Sequence, residues 1–507
     1  MSAQTSVAES LLGTLRAALL QHALPGEIAG FDRAQQDATA EFVAAAAARR
    51  APGTEVIRLE SSGGEVGHRR MRLAIVNDDM PFLVDSIAGA ISARGLAVHR
   101  LLHPVIAAKR DSAGTLQAVN GRAGADAPRE SIVYIELDRA DARARHELTD
   151  DLQQVLADVR AAVADWPEMT ARMVDDAASL DASDAEGAAL LRWLADNHFT
   201  LLGHATLAGD GTVTGGLGVL RRDVALWEGD DGAVIGHLVK ARWPVQILKA
   251  DRVSPVHRRV PLDVVLVRHA TGSTSIYAGL WTSGALRRPA GDVPVLRQWL
   301  KELDGQLGFV PNGHAAKALT HAISTLPHDV LISLGPNEVR EAALTAMSLA
   351  DRPRPTLLLL PGSLRRHLFA FVWLPRDELT TRRRLAIGRM IGEAASSVVT
   401  SWSVELGDGE LALIRYTLPL APGSKNPDAA RLDARLVEMV RGWAPGVETE
   451  LAHLAGPGRA TRLALTYLPL LPEEYRLRTA AATAANDIVR LADLHDGERG
   501  ARLVRDD

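Results

Sequence analysis

The sequence predicts an α+β protein built from two to three α/β sandwich modules with antiparallel sheets, joined by helical segments. Two patterns predict it. Between residues 71 and 166, apolar strands and amphipathic helices follow in the order strand, helix, strand, strand, helix. Between residues 356 and 443, the order is two strands, a helix, two strands and a helix. With one more strand, the first order gives the split βαβ sandwich of ferredoxin-like proteins, and the second is a cyclic permutation of that sandwich. We therefore expect the same sandwich twice, with different start points.

The N-terminal region, residues 1–50, is predicted to be helical, because leucines recur at helical spacing before Pro25. The first sandwich module is placed at residues 51–170. Its first strand is Met71–Val76, which a polar turn connects to a helix. The helix carries apolar residues at every fourth position and ends at a glycine (Leu83, Ile87, Ile91, Gly95).

The remainder of the first module has a long predicted strand at residues 96–108 and a polar loop at 111–129. A further strand is expected at 132–137. A long amphipathic helix follows, because apolar residues recur at helical spacing from Leu148 to Trp166. Residues 168–185 are rich in Asp, Ala and Ser and predict a linker.

A second module, mainly β, is placed at residues 186–305. Its predicted strands lie at 199–207, 217–221, 245–248, 262–269 and 275–281. Residues 306–350 form a predicted helical connector. The third module, with the permuted order, is placed at 352–445, and residues 446–507 are a predicted C-terminal helical tail.

Composition narrows the function classes. The 507 residues carry 57 basic and 62 acidic side chains, and this even balance does not favour a nucleic-acid partner. The chain has no cysteine, which excludes a disulfide scaffold, an iron–sulfur cluster and a thiol nucleophile. No stretch approaches the roughly 20 apolar residues that cross a bilayer. We expect no membrane partner and a cytoplasmic location.

The turn between the first strand and the first helix of module one is the candidate binding site. It comprises Asn77, Asp78, Asp79, Met80, Pro81 and Phe82. Free N–H groups at a helix N-terminus can hold an anion such as an amino-acid carboxylate, and the acidic side chains could take its ammonium group. The alternative is that Asp79 caps the helix, with Pro81 in the first helical turn.

Other clusters carry weaker signals. His314, His321 and His328 are spaced seven apart, which separates successive residues by about 10 Å along a helix and does not favour a metal site. Lys249 and Asp263 could pair; such a pair can be catalytic when buried, but surface pairs are commoner. The sequence contains no dinucleotide fingerprint, P-loop, zinc-protease or serine-hydrolase motif. We therefore predict no catalytic, cofactor-binding or metal-binding residue.

Five segments carry a family resemblance. They are MRLAIVNDDMPFLVDSIAGAISARGLAVHRLLHP (71–104), LLRWLADNHFTLLG (190–203), SPVHRRVPLDVVLV (254–267), DVPVLRQWLKEL (292–303) and FAFVWLPRDELTTRRR (369–384). In sequence, order and spacing they resemble the N-terminal region of the large bacterial NAD-specific glutamate dehydrogenases, and the resemblance spans residues from about 40 to about 480. It implies consecutive ACT-like modules, which are ferredoxin-like.

The resemblance also implies a function. In the full-length family enzyme, L-glutamate, NAD⁺ and water give 2-oxoglutarate, ammonium and NADH. The catalytic residues and the NAD-binding fold of that family lie downstream of the resembling region. The chain is thus expected to be a regulatory and oligomerisation region, inactive alone and without a cofactor of its own. Its expected partners are further copies of itself through the ACT-like sheets, a glutamate dehydrogenase catalytic region, and a small amino-acid effector.

One feature of ACT modules departs from its usual form here. In amino-acid-binding members, the first strand–helix turn reads D-x-P-G, and the glycine lets a ligand approach the backbone. This chain has Asp79–Met80–Pro81–Phe82, and the phenylalanine would crowd that approach. Two alternatives stay open: a stand-alone ACT-type amino-acid sensor or protein-interaction module, and a complete enzyme whose active site the motifs do not reveal.

Overall fold

The computed structural model describes residues 2–21, 23–62, 70–120, 129–227, 243–310, 313–407, 409–421, 423–440, 442–472, 475–476, 479–495 and 498–500. It confirms the predicted α+β class, with helices and three separate antiparallel sheets. The chain forms two compact units. Unit 1 comprises residues 1–344 and 361–367, and unit 2 comprises residues 345–360 and 368–507.

The N-terminal region is helical, as predicted. Its helices are α1 (Ser2–Gln21), α2 (Pro25–Ile28) and α3 (Arg33–Ala47). A capping box starts α3: the Asp32 carboxylate accepts from the Gln35 N–H, and the Gln35 side chain accepts from the Asp32 N–H. This pairing satisfies two N–H groups that a helix start otherwise leaves free.

The first sheet has six strands. They are β1 (Val56–Ser61), β2 (Met71–Asp78), β3 (Val98–Leu102), β4 (Val105–Arg110), β5 (Leu116–Asn120) and β6 (Arg129–Leu137). The order is β1-β2-β6-β4-β5, and β3 also pairs with β6. The long strand predicted at 96–108 is therefore two strands, separated at His103–Pro104, and the loop predicted at 111–129 contains β5.

Helices cover both faces of this sheet. Side chains alternate between the faces along each strand. On one face, Leu73 and Val133 pack with α4 (Leu83–Ala93) and with the first half of α5 (Ala142–Leu180). On the other, Val76 and Tyr134 pack with α1 and α3.

Helix α5 corrects the linker prediction. It continues to Leu180, with Pro167 inside it, so residues 168–180 are helical rather than a linker. Buried Met169, Met173 and Ala177 lie in this second half of the helix. The apolar stripe read from the sequence thus continues beyond Trp166.

The second sheet follows α6 (Ala185–Trp193). Its strands are β7 (Phe199–Leu207), β8 (Val213–Gly218), β9 (Val245–Val253), β10 (Pro261–Arg268) and β11 (Thr274–Trp281), in the order β8-β7-β11-β10-β9. One face joins the core of the first module, because Leu248, Val264 and Ala278 belong to the same buried cluster as Ile87 on α4. The first two modules therefore share one hydrophobic core.

The region predicted as a helical connector is helical. The predicted range, residues 306–350, contains α9 (His314–Ser324), α10 (His328–Leu331) and most of α11 (Pro336–Asp351). Two helices that precede it, α7 (Ser283–Leu286) and α8 (Leu296–Leu307), lie mainly in the range predicted for the second module. A short 3-10 turn, Ala290–Asp292, precedes α8.

The third sheet lies in unit 2. Its elements are β12 (Thr356–Pro361), β13 (His367–Pro375), α12 (Thr381–Ala395), β14 (Ser401–Glu405), β15 (Leu411–Pro419) and α13 (Ala429–Val440). The strand order is β12-β13-β15-β14, and Leu436 of α13 packs with Ile387 of α12 in the core.

The first sheet contains the four-stranded topology of the third sheet, with β4 and β5 added. In the first module, β1 precedes β2 and pairs with it at the sheet edge, with Val56 opposite Val76. The chain order of the first module is β1-β2-α4-β3-β4-β5-β6-α5, and without the inserted strands β4 and β5 it is the same ββαββα order as in the third module. The expectation of different start points is wrong, because it overlooked β1.

The C-terminal region adds a small helical cluster. It consists of α14 (Trp443–Ala455), α15 (Pro457–Tyr467) and α16 (Ala481–Ala492), which enclose Leu451, Ala460 and Ile488. Among the described helices of the whole chain, none is long and apolar enough to cross a membrane.

Candidate functional site

The predicted binding turn joins β2 to α4. Asn77 and Asp78 end β2, and α4 begins at Leu83. Phe82 occupies the N-cap position with φ 71° and ψ −1° and gives no side-chain cap. Asp79 does not cap the helix and Pro81 lies before it, so both of those expectations are wrong. Left-handed backbone favours glycine, which is the residue that the D-x-P-G form has at this position.

The three polar side chains of the turn all have partners inside the protein. Arg160 donates to Asn77 Oδ1 at 2.7 Å, and Arg50 lies 2.7 Å from Asp78 Oδ1. Ser131 donates its hydroxyl to Asp79 Oδ1 at 2.8 Å. These contacts hold the turn against β6 and α5.

Arg50 belongs to a buried ionic network behind the turn. Its guanidinium lies 2.8 Å from Glu130 Oε1, and Arg110 contacts the same carboxylate at 2.7 Å. Burial opposes ionisation of Glu130, but the hydrogen bonds from Arg110 and Arg50 hold the pKa of this carboxyl below its usual range. Asp78 is tied to this network through Arg50, while its side chain remains 39% exposed.

A segment of the second module covers the start of α4. The His257 ring, in the connection between β9 and β10, packs 5.2 Å from the Phe82 ring. The His257 N–H donates to Ser86 Oγ at 2.9 Å, and Ser86 Oγ donates to the Phe82 carbonyl at 2.6 Å. Asp85 Oδ2 lies 2.9 Å from His257 Nδ1. A small ligand at this helix start would have to displace His257, and effector binding at residues 77–82 stays a prediction.

The pair Lys249–Asp263 forms, and it is buried. Lys249 Nζ lies 2.6 Å from Asp263 Oδ1 and 2.9 Å from Asp329 Oδ2, and the three side chains are at most 10% exposed. Lys249 and Asp263 face each other across β9 and β10. Asp329 comes from α10, a partner that the sequence did not indicate. The cluster links the second sheet to the helical connector.

The three histidines at seven-residue spacing do not form a shared site. His314 and His321 lie on α9, whereas His328 begins α10 and is fully buried. Burial lowers the pKa of His328, although the neighbouring Asp329 opposes this shift. In the described part of the chain, no group of three or more His, Asp or Glu side chains is placed to hold a metal ion.

The third module has a pocket that sequence analysis missed. It lies along α12 beside β14 and has a volume of about 680 Å³. The Arg384 guanidinium stacks 3.7 Å from the centre of the half-exposed Trp402 ring, and the Tyr416 hydroxyl donates to the Arg384 carbonyl at 2.8 Å. Gly388 faces Tyr416, where a Cβ would lie 3.2 Å from that ring. Arginines, Glu393 and aromatic rings could together bind a small amphipathic molecule.

Two sheets with a common ββαββα core, the first of them extended by β4 and β5, define a protein with two ACT-type modules. Comparison with protein-family models agrees. The glutamate dehydrogenase ACT1 domain matches residues 16–152 and the ACT2 domain matches residues 356–444. Helical motifs 1 and 2 of glutamate dehydrogenase match residues 293–352 and 450–494.

Three proteins that are similar to this chain are each named NAD-specific glutamate dehydrogenase. A Pseudomonas aeruginosa protein, "NAD-specific glutamate dehydrogenase", is 27% identical over 83% of this chain and 28% of its own length. Proteins with that name from Halomonas elongata and Mycobacterium tuberculosis are 27% and 24% identical, each over 84% of this chain and 28% of its own length. The chain belongs to the NAD-specific glutamate dehydrogenase family, and it spans about 28% of the length of these relatives.

Proposed function

We propose that this chain is the N-terminal regulatory and oligomerisation region of an NAD-specific glutamate dehydrogenase. The complete enzyme would oxidise L-glutamate with NAD⁺ and water to 2-oxoglutarate, ammonium, NADH and a proton. In this proposal, glutamate oxidation and NAD binding belong to a polypeptide region other than these modules. The chain itself contributes assembly and control.

One observation carries the proposal. Both ββαββα sheets and both flanking helical regions match domains of glutamate dehydrogenase that are named as ACT domains or helical motifs. The relatives continue well beyond the matched 28% of their length. A multi-module region of this kind, joined to a longer enzyme, favours a role in assembly and control.

The decisive experiment starts from the DNA that follows the codon for Asp507. We expect it, or a neighbouring gene, to encode a dehydrogenase region that oxidises glutamate. That region should be expressed with and without residues 1–507. We expect the removal of these residues to change the oligomeric state or the response to amino acids and to leave the chemical reaction possible. Unchanged assembly and unchanged regulation would contradict the proposal.

Sheet edges supply the expected contact for self-association. Strand β14 ends the third sheet, and Trp402 on it is 49% exposed. An exposed edge strand can pair with another chain. We propose that β14 edges join copies of the chain. Light scattering after size-exclusion chromatography should give a mass above the 54.3 kDa monomer, and Trp402→Glu should lower it. A strict monomer at high concentration would contradict this part of the proposal.

The pocket beside α12 favours a second candidate function, a stand-alone ACT-type amino-acid sensor. It contains the charged and apolar groups that an amino acid needs, and sensing would not require an attached enzyme. Absence of any dehydrogenase region in the following DNA, together with amino-acid binding by this chain, would favour the sensor over the regulatory region.

A further inference from the structure

Basic side chains converge on a second pocket, in unit 1. It has a volume of about 720 Å³ and lies between the end of α7, α8 and α9. Its lining includes Arg287, Arg288, Lys301, Lys317 and His321. Asp304 is the acidic residue of this lining. The concave surface is therefore strongly cationic, although the whole chain has a formal net charge of −5.

Local ion pairs do not neutralise these cations, although Lys301 lies within electrostatic range of Glu186. Within the described part of the chain, Arg287, Arg288, Lys301 and Lys317 form no ion pair, and all four are exposed. Like charges gathered on one concave surface repel one another and focus a positive potential. A bound anion would relieve that repulsion. The concentration of unpaired cations at one place thus points to an anionic ligand.

The scaffold that holds the cations is well packed. Ser324 Oγ accepts from the Ala290 N–H at 3.0 Å and donates to the Thr320 carbonyl at 2.8 Å, which fixes the segment after α7 against α9. Leu300 and Leu319 are buried beneath the pocket. The charged side chains therefore extend from α8, α9 and the segment after α7, which this contact fixes in place, and part of the lining is apolar.

Asp304 indicates what else the ligand contains. One of its carboxylate oxygens is enclosed and accepts no hydrogen bond from the described residues. A buried acceptor without a donor costs free energy, and a ligand hydroxyl could supply that donor. Carboxylates often bind the hydroxyls of a nucleotide ribose, while arginine and lysine bind phosphates.

We propose that this pocket binds a phosphorylated small molecule of nucleotide size. Its phosphates contact Arg287, Arg288 and Lys317, a sugar hydroxyl donates to Asp304, and the remaining apolar part lies against Leu300. The volume falls in the range of small-molecule sites. This inference goes beyond the proposed function, because it concerns binding by the chain itself and does not depend on catalysis elsewhere.

Isothermal titration of the full chain with ATP, pyrophosphate and adenosine, each without divalent metal, tests the proposal. ATP should bind most tightly, pyrophosphate more weakly, and adenosine at least about 10-fold more weakly than ATP, because charge-assisted hydrogen bonds are the strong ones. The double variant R288Q/K317Q should lose at least about 10-fold in ATP affinity. Asp304→Leu should lower the affinity for ATP relative to that for pyrophosphate, because it removes the acceptor of the sugar hydroxyl, whereas the loss of the negative charge favours both anions.

The matched control is R139Q/K109Q. It removes the same charge from two exposed residues elsewhere in unit 1, and it should bind ATP as the original chain does. Thermal unfolding of each variant checks that it is folded. No heat from ATP, or an equal loss in the control, would overturn the proposal. Equal affinities for ATP and pyrophosphate would overturn the inference that the ligand has the size of a nucleotide.

Discussion

His257 packs its imidazole ring against the phenyl ring of Phe82, with 5.2 Å between the ring centroids. Both residues have left-handed backbone, with φ of 63° and 71°, a conformation that costs roughly 1–2 kcal/mol for residues other than glycine. The contact joins the second module to the start of α4 in the first. The turn Asp79–Phe82, which corresponds to the D-x-P-G turn of amino-acid-binding ACT modules, is therefore part of the interface between the first and second modules.

Ser86→Ala should destabilise unit 1. The Ser86 hydroxyl accepts from the His257 N–H and donates to the Phe82 carbonyl, and it is almost fully buried. Its loss leaves both groups without this partner, and we expect a cost of about 1–3 kcal/mol. Urea unfolding measures it. Ser92→Ala, an exposed serine on the same helix, should change stability by less than about 0.5 kcal/mol, and equal effects would refute the bridging role.

Lys249→Met should be strongly destabilising. The variant leaves Asp263 and Asp329 buried without the ammonium group between them, and such a break costs about 3–5 kcal/mol. Chemical unfolding of the variant provides the measurement. The control is Lys109→Met on β4, where the lysine is exposed. Stability close to that of the original chain would show that the cluster is not a buried ionic centre.

Acid should destabilise unit 1 through His204. Burial, together with Arg172 3.5 Å away, lowers the pKa of His204 to about 4. The unfolded chain takes up the proton near pH 6.5, so between pH 6.5 and 4 protons favour unfolding. The neutral His204 ring contributes its full stabilisation of the folded state above pH 6.5. As the pH drops towards 4, the free energy of unfolding falls by at most about 3 kcal/mol through this residue.

His204→Phe tests this pH dependence. The variant keeps an aromatic ring beside Tyr277 and removes the titrating group. Unfolding midpoints between pH 7 and pH 4 should fall less steeply for the variant than for the original chain. His146→Phe, on the exposed surface of α5, should leave the slope unchanged. Parallel slopes for the original chain and His204→Phe would contradict the assignment.

An amino acid that binds at residues 77–82 should bind Phe82→Gly more tightly. Glycine adopts the left-handed backbone at Phe82 without strain, and its lack of a side chain opens the start of α4. Calorimetric titration with the common amino acids compares the two chains, and Phe82→Tyr, which keeps a ring, should show no gain. If the original chain, Phe82→Gly and Phe82→Tyr all gave no heat on titration, the prediction that this turn binds an effector would be wrong.

The sequence predicted the elements whose signals are local. Strands β2 and β6 are apolar runs buried on both faces, and α4 has its apolar stripe and a terminating glycine, Gly95 at φ 70°. Strand β1 was missed because Val56–Ser61 mixes charged residues with apolar ones and is only half-buried. Without β1, the common topology of the two ACT-type modules could not be recognised.

The candidate sites depend on contacts between distant residues, and sequence patterns do not show such contacts. Lys249 and Asp263 lie opposite each other in two neighbouring strands. This pair could therefore be predicted from the sequence. Asp329 in that cluster, and His257 over Phe82, come from distant parts of the chain. The basic pocket likewise combines residues of α8, α9 and the segment after α7, and no short motif marks it.

The most direct test of the central claim is the assay of the purified chain with L-glutamate and NAD⁺, followed by the absorbance of NADH. The Pseudomonas aeruginosa relative serves as the positive control under the same conditions. The proposed regulatory role predicts no NADH from this chain while the relative is active. Glutamate-dependent NADH formation by residues 1–507 alone would contradict it.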